Sequence, residues 1–362
     1  MSKTLKFDIK LQRKDFLLDV QATVSSGITG VYGPSGHGKS SLLNSIAGLV
    51  KPDAGCITIR DEKVFDSEQK INLPVQKRNV GYVFQDIRLF PHLSIEKNLK
   101  YGTRKDIGSE IDFDEVIDIL NIRDLLTKKP SECSGGEKQR IAIGRALLSG
   151  ARILLMDEPF SAVDVNLRNN IIPFLKAINL RFQIPMLVVS HDLPDLLSLT
   201  SDLLLLKEGK VKALGRFQDL ILDESNLDMV KGAGLYNVFD LCVVETLPSR
   251  SMVLLRSRTS DFQVQVLLQM LKGEVKEGVP VKVLIRPEDI SISLYPISHI
   301  SLRNQLRGVI VKIFSRNGLS FCMVDAGEKV LVEITEASRE NMQLEVGVAV
   351  YCLFKSAALK IF

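Results

Sequence analysis

Cysteine is sparse. The five thiols, Cys56, Cys133, Cys242, Cys322 and Cys352, are odd in number and far apart, and no CxxC spacing joins any two. Neither a disulfide framework nor a cysteine zinc site is suggested, and the pattern fits a reducing cytoplasm. Long apolar runs are also missing: stretches such as Leu203–Leu206 fall far short of the ~20 residues a spanning helix requires. Met1 to Lys14 alternates charge and apolarity without an apolar signal core, so membrane association is expected to go through a partner. Charge of one sign is scarce: 47 Lys plus Arg against 43 Asp plus Glu leaves a formal +4. That surplus gives nucleic acid no electrostatic footprint. Heptads, low-complexity tracts and fixed-period repeats do not occur.

What remains is globular. Hydrophobic residues make up 45% and charged residues 25%, with 24 Gly and 13 Pro, which excludes disordered and collagen-like chains. A length of 362 residues suggests about two domains and a core that needs no disulfide or metal staple. To about Lys231, short apolar runs alternate with helical segments. Ile28–Tyr32, Val80–Phe84, Ile153–Met156 and Met186–Val189 read as buried strands. Lys39–Ala47, Phe113–Leu120, Glu137–Leu148 and Asn166–Phe182 read as helices. That alternation indicates parallel strands with right-handed crossovers. After Gly232-Ala233-Gly234 the runs Met252–Leu255, Phe262–Leu268, Val281–Ile285, Gly308–Phe314, Leu319–Val324 and Val348–Phe354 are β-rich and punctuated by turns, which predicts a small all-β barrel.

Three motifs carry chemistry. Gly33-Pro34-Ser35-Gly36-His37-Gly38-Lys39-Ser40 is a full GxxxxGK[ST] P-loop between a predicted strand and a predicted helix. Its glycines let successive N–H groups face phosphate oxygens, and the helix N-terminus adds positive charge. Lys39 supplies a point charge to the β- and γ-phosphates, Ser40 offers a hydroxyl to Mg2+, and Ser41 completes the nucleotide set. His37 fills a variable position and reads as a solvent-facing loop residue. In the second motif, Ile153-Leu154-Leu155-Met156-Asp157-Glu158-Pro159, an apolar strand ends in two acids. Asp157 lies at the sheet's carboxyl edge as a Mg2+ ligand, and Glu158 is placed to polarise an attacking water. Third, Ser134-Gly135-Gly136-Glu137 opens a helix and reads either as an ordinary capping box or as a second anion site.

These motifs in this order resemble the nucleotide-binding subunit of ABC transporters over about residues 3–230. The resemblance implies ATP and Mg2+ as cofactors and gives roles to smaller motifs. Gln85 resembles the Q-loop glutamine that senses Mg2+ and γ-phosphate. Ser161-Ala162-Val163-Asp164 resembles the D-loop, whose Asp164 crosses a dimer interface. His191 resembles the switch histidine. Two copies are then expected to pair head to tail, each ATP lying between one P-loop and the partner's Ser134–Gly136 segment. The chain has Cys133-Ser134-Gly135-Gly136-Glu137 where the family usually has Leu-Ser-Gly-Gly-Gln. Ser134 and both glycines are kept, so activity is expected to survive, and Cys133 reads as a small apolar residue. No aromatic near the N-terminus stands out for stacking on adenine. Phe16 is the nearest, and reads more readily as a core strand residue.

The stretch Val83-Phe84-Gln85-Asp86-Ile87-Arg88-Leu89-Phe90-Pro91-His92-Leu93-Ser94 is similar to that of molybdate importer ATPases, with Phe90 and Leu93 as candidate contacts for a permease helix. Ile285-Arg286-Pro287-Glu288-Asp289 resembles a segment of importer ATPases with accessory β domains, and residues 297–362 resemble a molybdate-binding β module. In that module Ser301, Arg303, Asn304, Lys355 and Ser356 are the candidate donors to a tetrahedral dianion. A barrel that only dimerises the chain and binds nothing is the competing reading. The expected architecture is an α/β P-loop NTPase of ABC type with a helical subdomain over 1–232, then a C-terminal all-β small-barrel (OB-like) domain over 233–362. The expected activity is ATP hydrolysis for molybdate import by a homodimer at the cytoplasmic face of the inner membrane. It would work with membrane permease subunits and, indirectly, a periplasmic oxyanion-binding protein, without nucleic acid. Tungstate, sulfate or ferric iron as cargo, and a soluble non-transport ABC ATPase, stay open at this point.

Overall fold

Leu5–Arg13 (β1) alternates buried and exposed residues because Leu5, Phe7, Ile9 and Leu11 are apolar and their neighbours are charged or polar. A period of two makes one face of a half-buried strand. The computed structural model describes residues 4–362 except 26, 104–110, 161–164, 222, 224–225, 227–228, 231–233, 248, 250 and 272–274, and backbone only at 165–170. The chain divides into two units, Met1–Gly232 and Ala233–Phe362.

In the first unit β1 pairs antiparallel with β2 (Phe16–Val24). Then come β3 (Ile28–Tyr32), buried at every residue, and helix α1 (Lys39–Ala47). Three further strands, β4 (Ala54–Ile59), β5 (Glu62–Asp66) and β6 (Ile71–Asn72), extend the antiparallel side. The remaining elements are β7 (Val80–Val83), α2 (Ile95–Lys100), α3 (Phe113–Leu120), α4 (Gly135–Leu148), β8 (Ile153–Asp157), α5 (Val165–Phe182), β9 (Met186–Val189), α6 (Leu193–Leu199), β10 (Asp202–Lys207) and β11 (Lys210–Arg216). All eleven strands make one sheet in the order β6-β5-β4-β1-β2-β11-β10-β3-β9-β8-β7. Within it β3, β9, β8 and β7 run parallel. Their carboxyl ends therefore share one edge, where ligands bind in such sheets.

Two buried polar side chains fix the chain on either side of β7, Arg78 before it and Asn98 after it. Arg78, 2% exposed, donates Nη1 to the Ser45 and Ile46 carbonyls at the end of α1, Nε to Leu73 O and Nη2 to Asn72 Oδ1. A cation at a helix C-terminus satisfies carbonyls that have no intrahelical donor. Asn98 on α2 accepts the Phe90 N–H and donates to the carbonyls of Phe90, Leu93 and Ser94. It thereby folds the segment after β7 against the helices. Both α2 and α3 pack on α4, where a Cβ on Gly144 would lie 2.9 Å from Leu99 and Leu120.

The second unit holds two five-stranded antiparallel sheets. One has the order β14 (Gln263–Leu267), β13 (Met252–Ser257), β12 (Asn237–Leu247), β15 (Pro280–Ile285), β21 (Lys360–Ile361). The other runs β16 (Ser291–Ser293), β20 (Ala349–Phe354), β17 (Asn304–Arg316), β18 (Leu319–Asp325), β19 (Lys329–Thr335). Phe239, Val281 and Val283 of the first sheet share a core with Ile310, Cys322 and Cys352 of the second. Buried Asn237 ties them, exchanging hydrogen bonds with the Leu331 backbone at 2.6 and 2.9 Å.

Candidate active site

The loop after β3 turns on Gly36 (φ 80°) and Gly38 (φ 101°), and Gly38 caps α1. A Cβ on Gly38 would strike Phe16 at 2.8 Å, so the loop closes tightly over β2. Lys39 folds back into it, its Nζ donating to Gly33 O at 2.7 Å and Pro34 O at 2.9 Å. Burial lowers its pKa, against the opposing pull of Glu158 and Asp157. Ser40 Oγ donates to Asp157 Oδ1 at 3.1 Å, joining α1 to the end of β8. Glu158 follows in a left-handed conformation (φ 50°), with its N–H on Val189 O. That bend brings Glu158 Oε2 to 2.8 Å from His191 Nδ1, beyond β9.

Ten of the expected residues line one cleft of about 370 Å³: Ser35, Gly36, Gly38, Lys39, Ser40, Ser41, Gln85, Asp157, Glu158 and His191. Phe16 and Val189 complete its wall. Phe16 starts β2 half-buried and packs against the core as expected, and because the loop glycine at 38 leaves room for its ring it also lines this cleft. Gly33 and Pro34 stand behind the lining and hold Lys39 through their carbonyls. His37 is not solvent-facing: half-buried, its Nδ1 accepts the Glu208 N–H at 2.9 Å, pinning the loop to the β10–β11 turn. Tyr82 is a residue that sequence reasoning missed. Its hydroxyl lies 3.1 Å from Asn44 Oδ1 and 3.4 Å from Asp157 Oδ2.

A family profile described as ABC transporter matches residues 17–161, and one described as TOBE domain matches residues 300–361. Molybdenum import ATP-binding protein ModC of Paramagnetospirillum magneticum is 35% identical over 365 residues, spanning 98% of this chain and 97% of that protein. The ModC of Mesorhizobium japonicum is 36% identical, spanning 98% of this chain and 95% of its own. The chain belongs to the ModC family of ABC transporter ATP-binding proteins. Solved folds agree for the ATPase unit. The cbiO1 structure from Clostridium perfringens superposes with a TM-score of 0.53 at 21% identity, over 64% of this chain and 95% of that one. A nucleotide-free ATP-binding cassette from an ABC transporter gives 0.53 at 22%, over 63% and 98%.

In this ModC-family ATPase the helix α4 starts at a reciprocal cap. Ser134 Oγ accepts the Glu137 N–H at 3.3 Å, and the Ser134 N–H donates to Glu137 Oε2 at 2.6 Å. The hydrogen bond from the Ser134 backbone holds the Glu137 carboxyl below its usual range. Ser134, Gly135 and Gly136 are not among the residues of the 370 Å³ cleft. Cys133 is buried and its thiol is pushed up by that burial, as suits an inert apolar position. Asp164 lies outside the described residues.

The TOBE unit distributes its five expected anion donors unevenly. Asn304 and Ser356 are buried and engaged: Asn304 exchanges hydrogen bonds with the Gln265 backbone at 2.7 and 3.1 Å, and Ser356 Oγ donates to Gln265 O at 2.7 Å. They clamp β14 onto β17 and β20. Arg303 and Asn304 both line an open cleft of about 420 Å³, with Arg307, Gln305 and Asp261. Ser301 and Lys355 are exposed and do not line it.

Proposed function

We propose that this protein hydrolyses Mg2+-ATP to drive molybdate import, as a head-to-tail pair of chains docked on membrane permease subunits at the cytoplasmic face of the inner membrane. One observation carries the reading: the start of α1 lines the cleft, while Ser134, Gly135 and Gly136 at the start of α4 do not. A second copy brings the partner's Ser134–Gly136 segment over the first copy's cleft. The cargo follows from relatives named for molybdenum import that match almost the whole chain, TOBE unit included.

The donor set suits Mg2+. Among the described residues no cluster of three or more His, Cys, Asp or Glu could hold a metal unaided. Ser40 and Asp157 instead place a hydroxyl and a carboxylate 3.1 Å apart, as in sites completed by substrate phosphates. Ser40 and Asp157 would hold Mg2+ there, and the ion would supply charge neutralisation to the phosphates. Lys39 exchanges the Gly33 and Pro34 carbonyls for phosphate oxygens, and the N–H groups of Ser35, Gly36, His37, Gly38, Ser40 and Ser41 cradle the rest. Phe16 offers its ring to adenine. Glu158 accepts a proton from the attacking water, held in place by His191, and Gln85 reports the γ-phosphate to the helical subdomain. Asp164 contributes from the dimer seam. Since ATP binds the closed pair better than the open one, binding closes it and hydrolysis reopens it. In the TOBE unit Arg303 offers molybdate a charged donor at the 420 Å³ cleft, on a frame built by Asn304 and Ser356.

Co-reconstitution with the permease and the oxyanion-binding protein in liposomes tests the whole reading. Labelled molybdate should accumulate only with ATP, and Lys39→Ala should stop both uptake and phosphate release. Uptake that survives Lys39→Ala would overturn the ATPase role; uptake of another anion in place of molybdate would overturn the cargo.

A further inference from the structure

Asp157 is held from two sides. Ser40 Oγ takes its Oδ1 at 3.1 Å, and the Tyr82 hydroxyl lies 3.4 Å from Oδ2. The two contacts come from different elements, α1 and β7, so together they restrain rotation of the carboxylate about its own axis. Tyr82 is itself well fixed. It sits opposite Leu155 in the parallel β7–β8 ladder and its ring stacks on Phe84 with centroids 4.2 Å apart. Its hydroxyl also meets Asn44 Oδ1 at 3.1 Å. The same strand continues into Gln85, a second residue of the cleft.

We propose that Tyr82 is a positioning residue for the metal-binding carboxylate: its hydroxyl orients Asp157 so that one oxygen faces the ATP-bound cation, and it ties that acid to the strand that carries Gln85. The inference rests on the Mg2+ reading of Ser40 and Asp157. A hydroxyl that orients a metal ligand is expected to change metal affinity by about tenfold. A residue that merely fills space would not, because phenylalanine packs there equally well.

The test uses the full chain loaded with a non-hydrolysable ATP analogue and titrated with Mn2+, followed by its paramagnetic resonance. Tyr82→Phe should bind Mn2+ about tenfold more weakly, while nucleotide affinity in chelator and the melting temperature without nucleotide stay at wild-type values. Equal Mn2+ affinity in Tyr82→Phe and wild type overturns the inference alone. A wild-type chain that takes up no Mn2+ overturns the metal reading and this inference with it. Should Tyr82→Phe fail to fold, Asn44→Ala decides: it leaves the hydroxyl proton to Asp157, so Mn2+ affinity should hold or rise. A tenfold fall in that variant would overturn the assignment.

Discussion

His191 Nδ1 lies 2.8 Å from Glu158 Oε2, joining residues that follow two neighbouring parallel strands. The Glu158 side chain is only 14% exposed and that of His191 is 62% exposed, so the acid is sheltered and its partner faces outward. Positioned base catalysis contributes about 10² to 10⁴ in rate. Glu158→Gln should therefore lower ATP turnover by at least about a hundredfold and leave nucleotide bound, so that an ATP-loaded pair accumulates in light scattering. Normal turnover in that variant would refute the base assignment.

His191→Ala separates orientation from folding. The ring is largely exposed and its single described bond is to Glu158, so stability should be nearly unchanged. Turnover should fall about tenfold to a hundredfold with ATP affinity little altered. Loss of nucleotide binding in equilibrium titration would assign His191 to the ground state instead.

The parallel half of the sheet was legible because strands buried on both faces are continuous apolar runs. Ile28–Tyr32 and Met186–Val189 have the bounds expected of them. The antiparallel half was harder. In β1 the alternation of Leu5, Phe7, Ile9 and Leu11 is plain, yet nothing local says that it pairs with both β2 and β4. Motifs with fixed spacing brought Lys39, Ser40, Asp157, Glu158 and His191 into view, and parallel topology brought them into one cleft. Tyr82 was missed, and Phe16 was read only as a core strand residue, for the opposite reason. Each sits in an ordinary strand, and its role comes from a neighbour distant in sequence, Asp157 in one case and Gly38 in the other.

Arg78 should matter to the stability of the ATPase unit rather than to chemistry. Its guanidinium is buried and donates to three backbone carbonyls and the Asn72 side chain. Arg78→Met removes the Arg78 donors from the Ile46 and Leu73 carbonyls and leaves the Ser45 carbonyl only the Gly48 N–H. A loss of about 3 kcal/mol is expected, read as a lower melting midpoint for that unit in denaturant. A change under about 0.5 kcal/mol would mean water replaces the guanidinium without penalty.

Glu137 makes stability depend on pH in a defined sense. Its folded pKa is lowered by the Ser134 N–H, so its contribution is fully present above the unfolded value of about 4.3. It is lost as pH falls through the lower folded value. At pH 7 wild type should exceed Glu137→Gln by about 0.5 kcal/mol, a helix-terminus effect discounted for solvent screening. The gap should narrow as pH is taken below about 4.3. Melting of the pair at both ends of that range checks it, and a gap independent of pH would show that the carboxylate's charge contributes nothing.

Asn304 and Arg303 are adjacent in sequence and should separate by function. Asn304 is 3% exposed and bound to the Gln265 backbone at both its amide atoms. Asn304→Ala leaves the Gln265 N–H without its acceptor, while Ser356 Oγ still serves the Gln265 carbonyl; one such group costs about 1–3 kcal/mol. The TOBE unit should therefore melt earlier, and any molybdate affinity should fall only as the unit unfolds. Arg303 is exposed on the rim of the 420 Å³ cleft, so Arg303→Ala should leave melting unchanged and weaken molybdate binding about tenfold, the effect of one charge-assisted bond. Calorimetric titration of molybdate into both variants decides the matter. If Arg303→Ala binds as wild type does, the cleft holds no anion and the TOBE unit acts by pairing alone.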